Sequence, residues 1–145
     1  MKHLILGTLL GATLAIPASA QSAGDASVGE ADFRKCKACH MIETPDGEQI
    51  VRGGRTGPNL WGIVGRKIGS YEGFNYGAGI KELAEMKPDM VWTEEDLIGY
   101  VTNPTAWLEE QTGDSGARSK MTFRLTSNQA DMAAYLASVS PDAAE

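Results

Sequence analysis

Cysteine and histidine are scarce in this chain. Its 145 residues contain two of each, and His3 lies in an apolar leader, so Cys36, Cys39 and His40 carry the soft-ligand chemistry of everything that follows. A zinc site would want four ligands and would have to recruit a carboxylate here. A disulfide across so short a spacing closes too small a loop to remove much entropy from the unfolded chain, which argues against a structural staple. Long apolar runs are also missing. The one from Leu4 to Ile16 falls short of the ~20 residues that span a bilayer. Basic residues are few: 13 Lys and Arg stand against 19 Asp and Glu, a balance that makes nucleic acid an unsuitable partner. There are no internal repeats, and no run alternates clearly enough to read as a strand.

The leader itself is informative. "MKHLILGTLLGATLAIPASA" has a positive head at Lys2 and small residues at Ala18, Ser19 and Ala20, which predicts a signal peptide over 1–20, cleaved after Ala20. The mature chain is then a single domain over 21–145, exported to the periplasm without stable membrane insertion. Losing Lys2 leaves 12 basic and 19 acidic residues, a formal charge of −7.

Periodicity predicts an all-α fold of three to five helices. The first is expected over Ser27–Ala38, capped by Asp25 or Ser27, and a short one over Ile80–Lys87 ends before Pro88. Thr93 and Asp96 form an approximate capping box for a helix over Thr93–Asn103, which Pro104 follows. The last helix, from Ser127, carries Met132, Tyr135, Leu136 and Val139 on one stripe. Residues 105–125 are expected to form a loop, and residues 43–79 are too rich in glycine for long regular elements. A loop of that length needs something to wrap. Its interspersed Leu60, Trp61, Ile63, Val64, Ile68, Tyr71, Phe74 and Tyr76 imply that the wrapped object is apolar, and the helices alone look too few and short to bury a sizeable core.

The stretch "CKACH" supplies such an object. C-x-x-C-H is the attachment sequence of c-type haem: each thiol adds to a vinyl group, and the adjacent histidine presents Nε2 to the iron. A thioredoxin-like pair would need a helix N-terminus within a βαβ pattern, and neither is present. His40 leaves the opposite face of the iron open. Methionine is the common partner, with Met41, Met86, Met90, Met121 and Met132 available. Met41 adjoins the histidine, Met132 lies on a core stripe, and Met86 and Met90 flank Pro88 as gap-fillers. Met121 sits in a loop, a placement that favours it without excluding the rest.

The segments "GEADFRKCKACH", "TGPNLWGIVGRK", "GFNY", "VWTEEDLIGYVTNP", "SKMTF" and "MAAYL" together resemble the class I cytochromes c, of the bacterial periplasmic cytochrome c2 and c550 type. The resemblance covers nearly the whole mature chain. It implies the class I cytochrome c fold around one covalently bound haem, with Cys36 and Cys39 as thioether residues and His40 and Met121 as axial ligands. It further implies that the Pro58 carbonyl accepts from His40, that Arg66, Tyr76 and Trp92 serve the haem propionates, and that Tyr100 tunes the methionine sulfur. Gly29, Phe33 and Tyr135 match the contact between the first and last helices.

The implied activity is one-electron transfer by a monomeric carrier, not catalysis. Its partners would be a cytochrome bc1 complex upstream and a terminal oxidase, photosynthetic reaction centre or periplasmic reductase downstream. Lys35, Lys37, Lys67 and Lys120, with Arg34 and Arg118, are expected beside the haem edge, a basic rim on an acidic protein that steers encounter. The chain departs from the mitochondrial relatives in the long segment between Pro104 and Met121, around "EEQTGDSGAR". A ligand-binding sensor whose methionine dissociates is the competing class, and a carbon monoxide titration separates the two. A dihaem peroxidase would need a second C-x-x-C-H, which is absent.

Overall fold

The computed structural model describes residues 24–141, and the leader predicted over 1–20 lies outside the described residues. Helix α1 spans Ala26–Asp32 and is capped by Asp25, whose carboxylate accepts the Ser27 N–H at 2.8 Å. It stops short of the expected Ala38. From Phe33 to Lys35 the chain tightens into a 3-10 turn, and bonds of the i→i+3 type, Cys36 N–H to Phe33 O and Cys39 N–H to Cys36 O, carry the spiral to the histidine.

Two short strands follow, contrary to the expectation of none. β1 (Ile42–Glu43) and β2 (Gln49–Val51) pair antiparallel, with Ile42 opposite Val51 and Glu43 opposite Gln49. Elements this brief leave no alternation to read. Farther on, an isolated bridge joins Lys67 and Val91, and Trp92 N–H donates to Arg66 O at 2.9 Å. That link sets Arg66 beside Trp92 although 26 residues separate them (92 − 66).

Helices α2 (Ala78–Met86) and α3 (Glu94–Thr102) fall where the periodicity places them, and Thr93 and Asp96 complete the capping box. The loop expected over 105–125 is a helix in its first half: α4 spans Pro104–Thr112. Asn103 and Pro104 end α3 and also begin α4, because the Asn103 side chain accepts the Ala106 N–H and proline suits a first helical turn. Helix α5 (Gln129–Ser138) starts at Asn128, not at a Ser127 cap. Asn128 adopts the left-handed conformation, φ 61°, and its side chain donates instead to Asp32 Oδ2 at 2.9 Å.

Helix α1 crosses α5, α3 packs on α5 and α4, and α2 packs on α4. The α1–α5 crossing is close because Gly29 has no Cβ: one built there would lie 2.0 Å from Asp131 O. Phe33 meets Tyr135 edge-on with ring centroids 5.6 Å apart, a geometry worth ~0.5–1.5 kcal/mol beyond burial alone. Asp32 is buried at this crossing and paired to Lys35 Nζ at 2.8 Å.

The helices do enclose a core of their own, including Leu97, Leu108, Met132 and Leu136, so the expected shortfall is partial. It shows elsewhere. Leu60, Trp61, Val64, Tyr76, Ile98, Tyr100 and Val101 pack against that core yet remain only half-buried.

Candidate cofactor site

Cys36, Cys39 and His40 occupy one turn of chain, closed by the His40 N–H to Cys36 O bond at 3.0 Å. No disulfide joins the two cysteines. Burial pushes the Cys36 thiol up to about 11, so it is protonated at neutral pH, unlike the activated thiolate of a redox pair. The following loop is laced to this turn: Gly54 N–H donates to Lys37 O at 2.9 Å and Gly57 N–H to Cys39 O at 2.8 Å.

His40 is fixed by what surrounds it. Its Nδ1 lies 2.8 Å from Pro58 O. A carbonyl only accepts, so Nδ1 carries the proton and Nε2 keeps its lone pair for a metal. Burial holds the imidazole pKa below its usual range, while the Pro58 bond works in the opposite direction. Gly57 is the other constraint: a Cβ there would stand 2.3 Å from His40 Cε1. The donor set therefore fits an iron-bound histidine, and the half-buried apolar row fits a large apolar ring.

Met121 is half-buried, and its N–H donates to Ser119 Oγ at 3.1 Å. That hydroxyl lies 2.9 Å from the Tyr100 hydroxyl, which links the methionine segment to α3. Phe123, two residues on, is 43% exposed although it is a large apolar side chain. Met132 is buried in the core, as its place on the last helix's stripe predicts, whereas Met86 is 53% exposed and does not fill the gap expected of it.

Arg66 donates through Nη1 to Asn59 O at 2.9 Å and through Nη2 to Trp61 O, with its guanidinium 5.0 Å from the centre of the Tyr71 ring. Burial lowers its pKa and raises that of Tyr76, whose hydroxyl accepts the Tyr71 N–H at 3.3 Å. Trp92 meets Tyr100 edge-on at 5.1 Å and stacks on Trp107 at 5.1 Å. Two clefts of about 220 and 420 Å³ meet at Val64 and Gly65 and run beside Arg66 and Trp92, but neither is lined by His40 or Met121. The C-x-x-C-H turn and the His40–Pro58 contact, not cavity size, mark the candidate site.

Several residues at the site were not singled out from the sequence. Asn59 is buried and tied on three sides: Oδ1 accepts from Glu43 N–H and Trp61 N–H, and Nδ2 donates to Glu43 O. Its signal was its place within "TGPNL". Ser119 likewise lay within "SKMTF", whereas Trp107 left no signal, because its partners come from separate elements.

The expected basic rim is uneven. Lys35 is spent on Asp32, Lys67 pairs with Asp89 at 2.9 Å, and Lys120 Nζ donates to Asn75 O at 2.7 Å beside the Phe74 ring. Lys37 takes part in none of the ion pairs among the described residues. Arg52 and Arg55, exposed on the loop laced to the C-x-x-C-H turn, and Arg124, just beyond Met121, add positive charge that the sequence had not brought forward.

No family model matches the chain. Individual relatives do. The chain is 63% identical over 143 residues to cytochrome c-550 of Paracoccus versutus, covering 99% of this chain and 92% of that protein. It is 47% identical over 136 residues to cytochrome c2 of Rhodobacter capsulatus, covering 94% and 96%. The solved structure of ferric cytochrome c-550 from Paracoccus versutus superimposes with a TM-score of 0.80 at 65% identity, over 81% of this chain and 99% of that one.

Proposed function

The chain belongs to the class I cytochromes c of the c-550 and c2 type, and within that family we propose that it is a periplasmic one-electron carrier whose haem iron is held by His40 and Met121. Membership carries the coarser statements: the fold is that of class I cytochromes c, the cofactor is one covalently attached haem c, and the activity is electron transfer, not enzymatic catalysis. The haem, when bound, supplies the Fe(II)/Fe(III) couple.

The residues of the chain do the rest. Cys36 and Cys39 tether the ring, and His40 presents Nε2 with its other nitrogen committed to Pro58. Arg66, Tyr76 and Trp92 offer donors and positive charge to the propionates, whose burial would otherwise be costly. Met121 would offer the haem a soft sulfur, which favours reduced iron and raises the potential. His40 and Met121 together would exclude oxygen and peroxide. The 2.8 Å contact of His40 Nδ1 with Pro58 O is the observation that carries this reading, because it leaves the ligating nitrogen unprotonated.

The leader over 1–20 supports export, and no helix among the described residues is long and apolar enough to cross a membrane. A bc1-type complex would reduce the protein, and a terminal oxidase, reaction centre or periplasmic reductase would oxidise it. The bases around the C-x-x-C-H turn and Met121 would guide those encounters.

Replacing Met121 with Ala tests the ligand assignment on matured holoprotein. The expected result is loss of the methionine-to-iron charge-transfer band, a lower potential and rapid carbon monoxide binding to the reduced form. An unchanged spectrum and potential would refute it.

A further inference from the structure

The segment leading into Met121 is tied down residue by residue. Ala117 N–H donates to Asp114 O at 3.1 Å, Arg118 Nη1 to Glu109 Oε1 at 2.7 Å, and Lys120 Nζ to Asn75 O at 2.7 Å. Ser119 makes three ties, all of them partly buried. Its N–H donates to Thr105 Oγ1 at 3.3 Å, and its hydroxyl lies 2.9 Å from Tyr100 Oη while accepting the Met121 N–H at 3.1 Å.

We propose that Thr105 is a positioning residue for the methionine: its hydroxyl oxygen takes the Ser119 N–H and so holds the Ser119 hydroxyl between the Tyr100 phenol and the Met121 backbone. The inference rests on Met121 as the sixth ligand. Thr105 suits the task because it is a fixed point. It occupies the first turn of α4, which Asn103 caps and Pro104 starts, and a β-branched side chain is stiff at χ1. Ser119 Oγ has two lone pairs and one proton. One lone pair takes the Met121 N–H, and the proton is then available to the Tyr100 oxygen, which leaves the phenol proton unspent. The long segment after Pro104 thereby gains a purpose: its helix carries the anchor of the ligand strap.

The test is an imidazole titration of ferric holoprotein, in which imidazole competes with the methionine for iron. Thr105→Val keeps the shape and removes the acceptor, and Thr105→Ser keeps the acceptor. Thr105→Val should raise imidazole affinity about threefold, the equivalent of a hydrogen bond at the weak end of the range as its 3.3 Å length implies, with Thr105→Ser matching the parent. In a Met121→Ala background the Thr105→Val effect should vanish. An affinity for Thr105→Val within about twofold of the parent, or an equal gain in the Met121→Ala background, overturns the proposal. If Met121→Ala keeps its methionine-to-iron band, the ligand assignment falls first and takes this proposal with it. If that band is lost but Thr105→Val behaves as the parent, Thr105 alone is wrong. Should Thr105→Val fail to mature, amide exchange on the parent holoprotein decides: Ser119 N–H should be protected, and exchange at the rate of a free amide overturns the assignment.

Discussion

Gly57 lies against the imidazole of His40, and the space beside it is already taken. A methyl group at residue 57 would stand 2.3 Å from Cε1, 2.6 Å from Nδ1 and 2.7 Å from Nε2, against the ~3.5 Å at which carbon atoms rest in contact. The ring would have to yield by about 1 Å. Its bond to Pro58 O, now 2.8 Å, would then stretch past the ~3.2 Å limit of a good N–H···O bond. Overpacking costs about 1–3 kcal/mol and the lost bond about 1 kcal/mol, so Gly57→Ala should lower the unfolding free energy of the holoprotein by about 2–4 kcal/mol. The potential should shift too, since the Pro58 bond sets the orientation and basicity of the ligating ring. Guanidinium unfolding of ferric holoprotein gives the first quantity, and the NMR resonance of the His40 Nδ1 proton reports the bond directly. Gly47→Ala is the control, because Gly47 has φ +90° and nothing within 4 Å of its would-be Cβ. It should carry only the ~1–2 kcal/mol of a left-handed backbone and leave the His40 proton and the potential alone. The reasoning is refuted if Gly57→Ala lies within about 0.5 kcal/mol of the parent with the Nδ1 resonance unmoved, or if Gly47→Ala shifts the potential equally.

Two further outcomes follow from charged groups. The bond from Lys35, with that from Asn128, holds the Asp32 carboxyl below its ordinary pKa. A depressed folded-state pKa stabilises the fold above the unfolded value, and that contribution is lost as pH falls through the folded value. Asp32→Asn should therefore destabilise the protein at neutral pH, and its gap to the parent should close below the ordinary aspartate range. Denaturant midpoints across a pH series check this, and a gap independent of pH would show that the ionised carboxylate is not the cause. For partner encounter, Lys37→Glu should slow association with an acidic redox partner more than Lys67→Glu, because Asp89 already neutralises Lys67. Stopped-flow rates at low and high ionic strength test it, and rates insensitive to salt would remove the steering idea.

Much of the site was legible because it is written in contiguous residues. C-x-x-C-H occupies one turn, Pro58 lies within the contiguous "TGPNL", and Thr93 with Asp96 caps α3 within a single turn. Helix α4 was not legible, and the reason is local. Asn103 and Pro104 are stop signals for one helix and start signals for the next, and the polar residues after Leu108 hide the buried face made by Trp107, Leu108 and Thr112. The α5 start misled for a different reason. Ser127 and Asn128 are equal caps by propensity, but only Asn128 both tolerates a positive φ and supplies the donor that Asp32 takes. The Tyr100–Ser119–Thr105 chain lay beyond any pattern, since α3, α4 and the strap meet there only after folding.

The two expected axial ligands are mounted in unlike ways, and this bears on how the site would open. His40 is pinned through its side chain: Nδ1 is bonded to Pro58 O, and Gly57 packs on the ring. Met121 is pinned through its backbone, by the Ser119 hydroxyl, while its side chain stays half-buried. A thermal fluctuation that breaks the Ser119 Oγ bond releases the Met121 N–H itself, although the ties at Ala117, Arg118 and Lys120 still hold the chain leading to it. A comparable break near His40 leaves the ring still hemmed in by Gly57 and tethered through Cys36 and Cys39. The methionine side is thus the weaker hinge. The surrounding loops would share that dependence, because Leu60, Trp61, Val64 and Tyr76 are only half-buried by the chain and would complete their burial against the haem, whereas Phe33, Met132 and Tyr135 are already buried at the α1–α5 crossing. Loss of methionine ligation should therefore loosen the loops before it loosens the helical crossing.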